Sequence, residues 1–367
     1  MKLVDAQLAA SSVYQGQRLS EKNIDLADKA FANLRAIDAD KLENVTDKID
    51  YLRCFTSLTG VLATEALRKA EAMQSAELSV SQARRLVDQF PENKELRFRL
   101  AKSHSVRGFQ LLWWGEHNEE CLAAYQSSLA MLDELAREGY DATDILTASS
   151  HPLANMKVLL TRLDRKDELA AVSEKERSVL EVLNSRFPEQ VHYNELLANC
   201  LIGMANDANE RGNRLQADKY HERALKILTA IFDRNPTPRA SVFLCLARLH
   251  TLIGSQYSDS SNDARAIEAL EQARSRQVEY AISNPKDFQA YLMGFNVMAE
   301  LAPAYLRVGS YDNAAKSVEA CMNSHAAYVT ASGRPTDSLT TGDLNGLVLS
   351  MTCVARLFVS VLRAVRF

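Results

Sequence analysis

The sequence is short of residues that interrupt a chain. Thirteen Gly and eight Pro serve 367 residues, about half the usual combined share of roughly 12%. A many-stranded sandwich or barrel needs far more turn-formers than this, so long helices are expected instead. Cysteine is sparse and scattered: Cys54, Cys121, Cys200, Cys245, Cys321 and Cys353 stand far apart, with no Cys-x-x-Cys and no Cys/His cluster at zinc-ligand spacing. That argues against a disulfide framework and fits a reducing, cytoplasmic setting, and neither a metal nor a cofactor is expected. Charge of one sign is missing too. Lys+Arg 43 against Asp+Glu 47 gives a net charge of −4 with the signs interspersed, so no basic field exists to attract nucleic acid or an anionic membrane.

Long uncharged apolar runs are also lacking. The most apolar stretch, Leu344 to Phe367, is interrupted by Arg356, Arg363 and Arg366; these leave too short an uncharged run to span a bilayer, and the stretch reads as a buried or capping helix. The opening Met1-Lys-Leu-Val-Asp5 lacks the apolar core of a secretory signal, so export is not expected. Catalytic motifs are equally scarce, with no H-E-x-x-H, G-x-S-x-G or G-x-x-x-x-G-K-[ST] in the chain. What remains, 47% hydrophobic and 25% charged residues, is the composition of a folded globular chain able to bury about 75% of its unfolded surface.

The few breakers fall in register with one another. Pro91, Pro188 and Pro285 stand 97 residues apart, and Gly115, Gly212 and Gly309 repeat the same interval. Halfway through each period come Gly139, Pro236 and Gly333. The pattern implies a unit of about 48 residues: a helix of about 20, a turn, a second helix running back, and a loop opening the next unit. The phrases Phe90-Pro91-Glu92 and Phe187-Pro188-Glu189 are followed at equal offsets by Leu96 or Tyr193 and then Leu100-Ala101 or Leu197-Ala198. Asn284-Pro285-Lys286-Asp287 is a looser third copy. Proline suits such a loop because it cannot donate to a helix and holds the preceding residue out of helical geometry. Met298, Leu301, Ala302 and Tyr305 then recur with helical period up to Gly309.

The segment from Met298 to Ala314, continuing to Cys321, resembles a tetratricopeptide repeat (TPR) in its spacing of large, small and aromatic residues about a turn glycine. Gly212 with Ala217, Ala224 and Leu225 repeats it, and Cys121, Tyr125, Ser128 and Leu129 form a weaker copy whose turn at Gly115 is displaced by one residue. The unit exceeds the 34 residues of that family. The Phe-Pro-Glu phrases and the Ala-Ala-Tyr125 style of second helix, over roughly residues 80 to 325, also resemble the repeat region that follows the kinase domain in planctomycete serine/threonine kinases. No G-x-G-x-x-G, H-R-D or D-F-G motif accompanies them.

The resemblance implies an all-α, right-handed α-solenoid of TPR-like antiparallel hairpins, six or seven in number. Residues 1–46 are expected to form an N-terminal helical cap, 47–335 the array and 336–367 a C-terminal capping helix. Ala217, Ala224 and Ala314 should lie where paired helices touch. Cys121 and Cys321 occupy small-residue positions between helices, so packing explains them; His117, four residues before Cys121, lacks the further ligands a metal needs. His104, His192, His221 and His250 are unclustered and expected at helix surfaces or core edges.

In that family the first helix of each hairpin lines a concave, partner-binding face. Counting back from Gly212 places Glu210, Asn209, Asn206, Ile202 and Asn199 inward, and the corresponding regions offer Arg107, Gln110, Trp113 and Trp114 near the first copy and Asn296 and Arg307 near the third. Amides both donate and accept, so an asparagine stripe can grip the backbone of an extended peptide. Trp113 and Trp114 are adjacent, about 100° apart on a helix, so one ring should face outward as an anchor for a partner. The sequence thus reads as a non-enzymatic protein-binding scaffold, with a peptide, a protein or a second copy of the chain as partner. The alternative is the regulatory portion of a serine/threonine kinase whose catalytic domain lies outside this chain.

Overall fold

The computed structural model describes Gln7 and residues 20–63, 69–115, 117–234, 240–259, 262–285 and 287–332. These residues hold thirteen α-helices and no strand: α1 Ser20–Ala36, α2 Val45–Ala63, α3 Lys69–Gln89, α4 Lys94–Trp114, α5 Asn118–Arg137, α6 Ala142–Arg162, α7 Lys166–Arg186, α8 Val191–Glu210, α9 Arg214–Arg234, α10 Ala240–Asp259, α11 Asp263–Ser283, α12 Phe288–Arg307 and α13 Tyr311–Ser332. The chain divides into two compact units, Met1–Pro188 and Glu189–Phe367. The boundary is the second landmark proline, inside the expected array 47–335. The expected capping helix 336–367, Pro236 and Gly333 lie outside the described residues.

Short connections force consecutive helices to run antiparallel. In the first unit the hairpins are α2/α3, α4/α5 and α6/α7; in the second they are α8/α9, α10/α11 and α12/α13. The even-numbered helices also pack on one another, α2 on α4 and α4 on α6, then α8 on α10 and α10 on α12. Each unit is therefore a two-layer stack of helical hairpins, the arrangement of a helical-repeat solenoid.

The turns explain the glycine register. Gly139, Gly212 and Gly309 have φ of +75°, +76° and +75°, left-handed geometry that glycine adopts without steric cost. At Gly212 the N–H of Asn213 reaches back to the Ala208 carbonyl at 2.8 Å while the Gly212 N–H donates to Asn209, the paired bonding of a Schellman cap. Gly309 with Ser310 does the same at the end of α12. Asp164 takes this conformation in the α6/α7 turn at φ +54°, with Arg165 N–H donating to Leu160; aspartate tolerates it better than most side chains. Gly115 differs, since it follows α4 directly and its N–H makes a single bond to Leu111 at 3.1 Å. That simpler cap is the physical form of the one-residue displacement.

Small residues let the paired helices approach. A Cβ on Gly108 in α4 would lie 2.7 Å from the Tyr125 ring of α5, and one on Gly254 in α10 would lie 2.5 Å from Leu270 of α11. The equivalent residues of α8 and α12 are Ala205 and Ala302, which pack against Ala217 and Val318. Ala217, Ala224 and Ala314 are fully buried, as expected of helix–helix contact positions. The Cys121 thiol donates to the Gly108 carbonyl at 3.2 Å, and that of Cys321 reaches the Phe295 carbonyl at 3.6 Å. Both are packing groups.

Candidate functional site

Each even helix has three kinds of face. The residue fourteen past the helix start points at its odd partner: Thr59, Gly108, Ala205, Gly254 and Ala302 all do so. Residues eight, fifteen and nineteen past the start share an arc of about 40°, roughly 120° away from that contact. In α8 these are Asn199, Asn206 and Glu210; in α12 they include Asn296 and Arg307; in α4 they are Lys102, Phe109 and Trp113. Asn199, Glu210, Asn296, Arg307 and Trp113 are exposed, while Asn206, Phe109 and Lys102 are half-buried. This polar and aromatic stripe is the candidate binding face. Unlike its neighbours, Ile202 of α8 is buried and belongs to the core.

Three expected residues do not belong to that stripe. Gln110 is completely buried, donating toward the Thr59 carbonyl of α2 at 3.5 Å, so it offers a partner nothing. Arg107 is held between two carboxylates, Glu77 of α3 at 2.6 Å and Glu120 of α5 at 3.3 Å. Asn209 turns toward the next hairpin, donating to Gln256 of α10 at 3.2 Å, and Gln256 in turn donates to Asp218 of α9 at 2.8 Å. All three tie helices together, because their helix positions face neighbouring elements. Arg307 keeps its place at the face but is paired with Asp263 of α11 at 2.7 Å.

Trp113 is 61% exposed and its ring lies 6.0 Å from that of Phe109. One indole therefore faces outward, as the adjacent pair required; the Trp114 side chain lies outside the described groups. Phe109 was not singled out by sequence, although it lies one helical turn before Trp113. Arg248 of α10 was missed as well. It stands at the same helix position as Asn199 and Asn296 and is exposed. The signal was available in the repeat: 49 and 48 residues separate the three.

The titratable groups are mostly structural. Burial, with help from Arg84 and Arg107, lowers His104 to about 4, and burial beside Arg276 lowers His250 to about 4. His221 is buried, where a surface or core-edge place was expected, and burial holds its pKa below the ordinary range against the opposing influence of Asp218 and Gln256. His117 is exposed beside Glu120 whereas Cys121 is buried against Gly108, so the two do not converge on a ligand. Among the described residues no group of three or more His, Cys, Asp or Glu side chains could hold a metal ion. The described cysteines are free thiols. No described helix is long and apolar enough to cross a membrane.

The fold is that of TPR-like helical-repeat proteins, a likeness visible in solved structures. BtubC from P. vanneervenii matches with a TM-score of 0.52 at 17% identity, covering 73% of this chain and 94% of its own. Nro1, described as a nuclear import adaptor of S. pombe, matches with 0.51 at 12% identity over 82% of this chain and 98% of its own. RapI matches in its apo form with 0.50 at 13% identity over 89% of this chain and 99% of its own. The sequence matches no protein-family model and no curated protein. The kinase-associated likeness therefore rests on the Phe-Pro-Glu phrases and the Ala-Ala-Tyr125 helix of the sequence, and no match supports it.

Proposed function

We propose that this chain is a protein-binding scaffold whose even-helix face takes an extended peptide or an extended segment of a protein. The observation that carries the reading is the amide stripe of the second unit. Asn199, Asn206 and Asn296 sit at the outward positions of α8 and α12, Asn199 and Asn296 exposed and Asn206 half-buried, while the opposite faces of these helices carry the core residues Leu201, Ala205, Val297 and Leu301. Neighbouring helices stand about 8 to 10 Å apart, close to three residues of extended chain at about 3.3 Å each. Side chains at this position of α8, α10 and α12, namely Asn199, Arg248 and Asn296, are thus spaced to meet a peptide backbone at a regular interval. In the first unit the Phe109 and Trp113 rings supply an aromatic anchor on the corresponding face. The work is binding rather than catalysis, and the adaptor role of Nro1 supports that class. A regulatory segment of a larger kinase would use the same face, and a reading frame carrying kinase motifs would favour that version.

An array of random-sequence dodecapeptides tests the reading with the full chain. Selective binding is expected, with loss of most signal in the Asn199→Ala/Asn206→Ala variant and none in a variant altered on an odd-helix surface, such as Lys226→Ala. Absence of any selective binding, or equal binding by the double variant, contradicts it.

A further inference from the structure

The second unit carries a cation that the fold does not use. Among the described arginines of the even helices, Arg53 pairs with Asp50, Arg97 with Glu138, Arg99 with Glu95, Arg107 with Glu77 and Glu120, and Arg307 with Asp263. Arg162 donates to the Leu112 carbonyl at 3.5 Å. Arg248 makes no ion pair and no hydrogen bond among the described residues, and it is exposed. Its sequence neighbourhood gives the reason: Leu244, Cys245, Thr251 and Leu252 fill the positions three and four residues away where other helices of this chain place an acid. The partner an arginine usually takes on its own helix is withheld here.

The surroundings offer an amide donor, Asn199, and an acid, Glu195 of α8, which like Arg248 acts electrostatically on Cys245 but makes no ion pair with Arg248. On α8 the Asn199 side-chain carbonyl accepts from the Cys245 thiol at 3.5 Å, which occupies the amide's acceptor and leaves its NH2 group free to donate. Burial raises the Cys245 pKa, so the thiol keeps the proton it donates. Asn296 stands at the matching position on α12. A guanidinium with an amide donor on the adjacent helix suits a planar carboxylate, which accepts two parallel hydrogen bonds from arginine.

We infer that Arg248, flanked by Asn199, is the subsite of the second unit that reads an aspartate or glutamate side chain of the bound extended peptide. This rests on the peptide-binding reading of the even-helix face. The ligand is then a peptide whose backbone runs across α8, α10 and α12 with one acidic residue over α10. The dodecapeptide array serves again, now scored by sequence. Peptides retained by the wild-type chain should be enriched in Asp or Glu at one position, and replacing that residue by Gln should weaken binding about 10-fold or more. Arg248→Gln should lose the enrichment, bind acidic and Gln-substituted peptides alike, and melt at the wild-type temperature; Arg248→Glu should prefer Lys at that position. Selective binding without acid enrichment, enrichment that survives in Arg248→Gln, or stronger binding of a phosphoserine peptide than its glutamate counterpart would overturn this inference and leave the groove reading standing. No selective binding at all defeats both.

Discussion

The two units build the same hairpins and join them with a different balance of chemistry. In the first, hydroxyl pairs are buried between helices, Thr59 with Ser75 and Ser79 with Ser103, each at 2.8 Å. Ion pairs then cross between elements, as from Arg97 to Glu138 and from Arg107 to Glu77. In the second, amides and phenols carry more of the joins, beside the Arg307–Asp263 pair: Gln277 donates to the Ala290 carbonyl at 2.9 Å, Tyr305 donates to Glu271 at 2.7 Å, Tyr280 donates to Asp287, and Gln256 links Asn209 to Asp218. The first unit has a phenol join in Tyr140 to Glu95. The outward stripes differ in parallel. Lys102, Phe109 and Trp113 mark the first unit, while Asn199, Asn206, Arg248 and Asn296 mark the second. A repeat scaffold fixes only where small residues and turns must fall, so connecting and outward positions can diverge in chemistry without changing the fold.

The sharpest break in this comparison comes at equivalent close contacts. Gly108→Val should cost about 3 kcal/mol, because even a Cβ there meets the Tyr125 ring, whereas Ala205→Val should cost about 1 to 2 kcal/mol, since a Cβ already fits against Ala217. Urea titrations of the two variants compare them directly. Ala217→Leu and Ala314→Leu overpack their contacts by about 1 to 3 kcal/mol, and wild-type melting temperatures in both would mean that the hairpins are paired wrongly.

Acid should act on both units alike. His104 and His250 each have a pKa of about 4 in the folded chain, against about 6.5 when unfolded. The unfolded state takes up these protons first, so their contribution to stability is complete above about pH 6.5 and is lost as the pH falls toward 4. His104→Gln and His250→Gln should each flatten the melting-temperature profile across that window. A smaller effect is expected from Thr59→Val, which leaves the Ser75 hydroxyl without its partner at about 1 kcal/mol. Smallest of all is Trp113→Ala, whose exposed ring should leave stability within about 0.5 kcal/mol of wild type.

The sequence revealed the hairpins because their turns demand glycine geometry at Gly212 and Gly309, and their contacts demand small side chains at Ala217 and Ala314. It hid the α6/α7 turn, where Asp164 does the work of glycine. Local character misled at Gln110 and Arg107, which are polar yet face neighbouring helices instead of the stripe. Asn209 was on the right helix, but its partner Gln256 lies 47 residues away, beyond any local pattern. Arg248 was legible only by carrying the repeat spacing from Asn199 to Asn296 through the helix between them.

The central claim is that the outward stripe of the even helices is the binding surface. Photo-crosslinking tests it most directly, with an array-selected peptide carrying a benzophenone group and the crosslinked residues located by mass spectrometry. The crosslinks should fall on α8, α10 and α12 around Asn206, Leu252 and Glu300. Crosslinks confined to α9 and α11 would place the partner on the opposite layer and contradict the account.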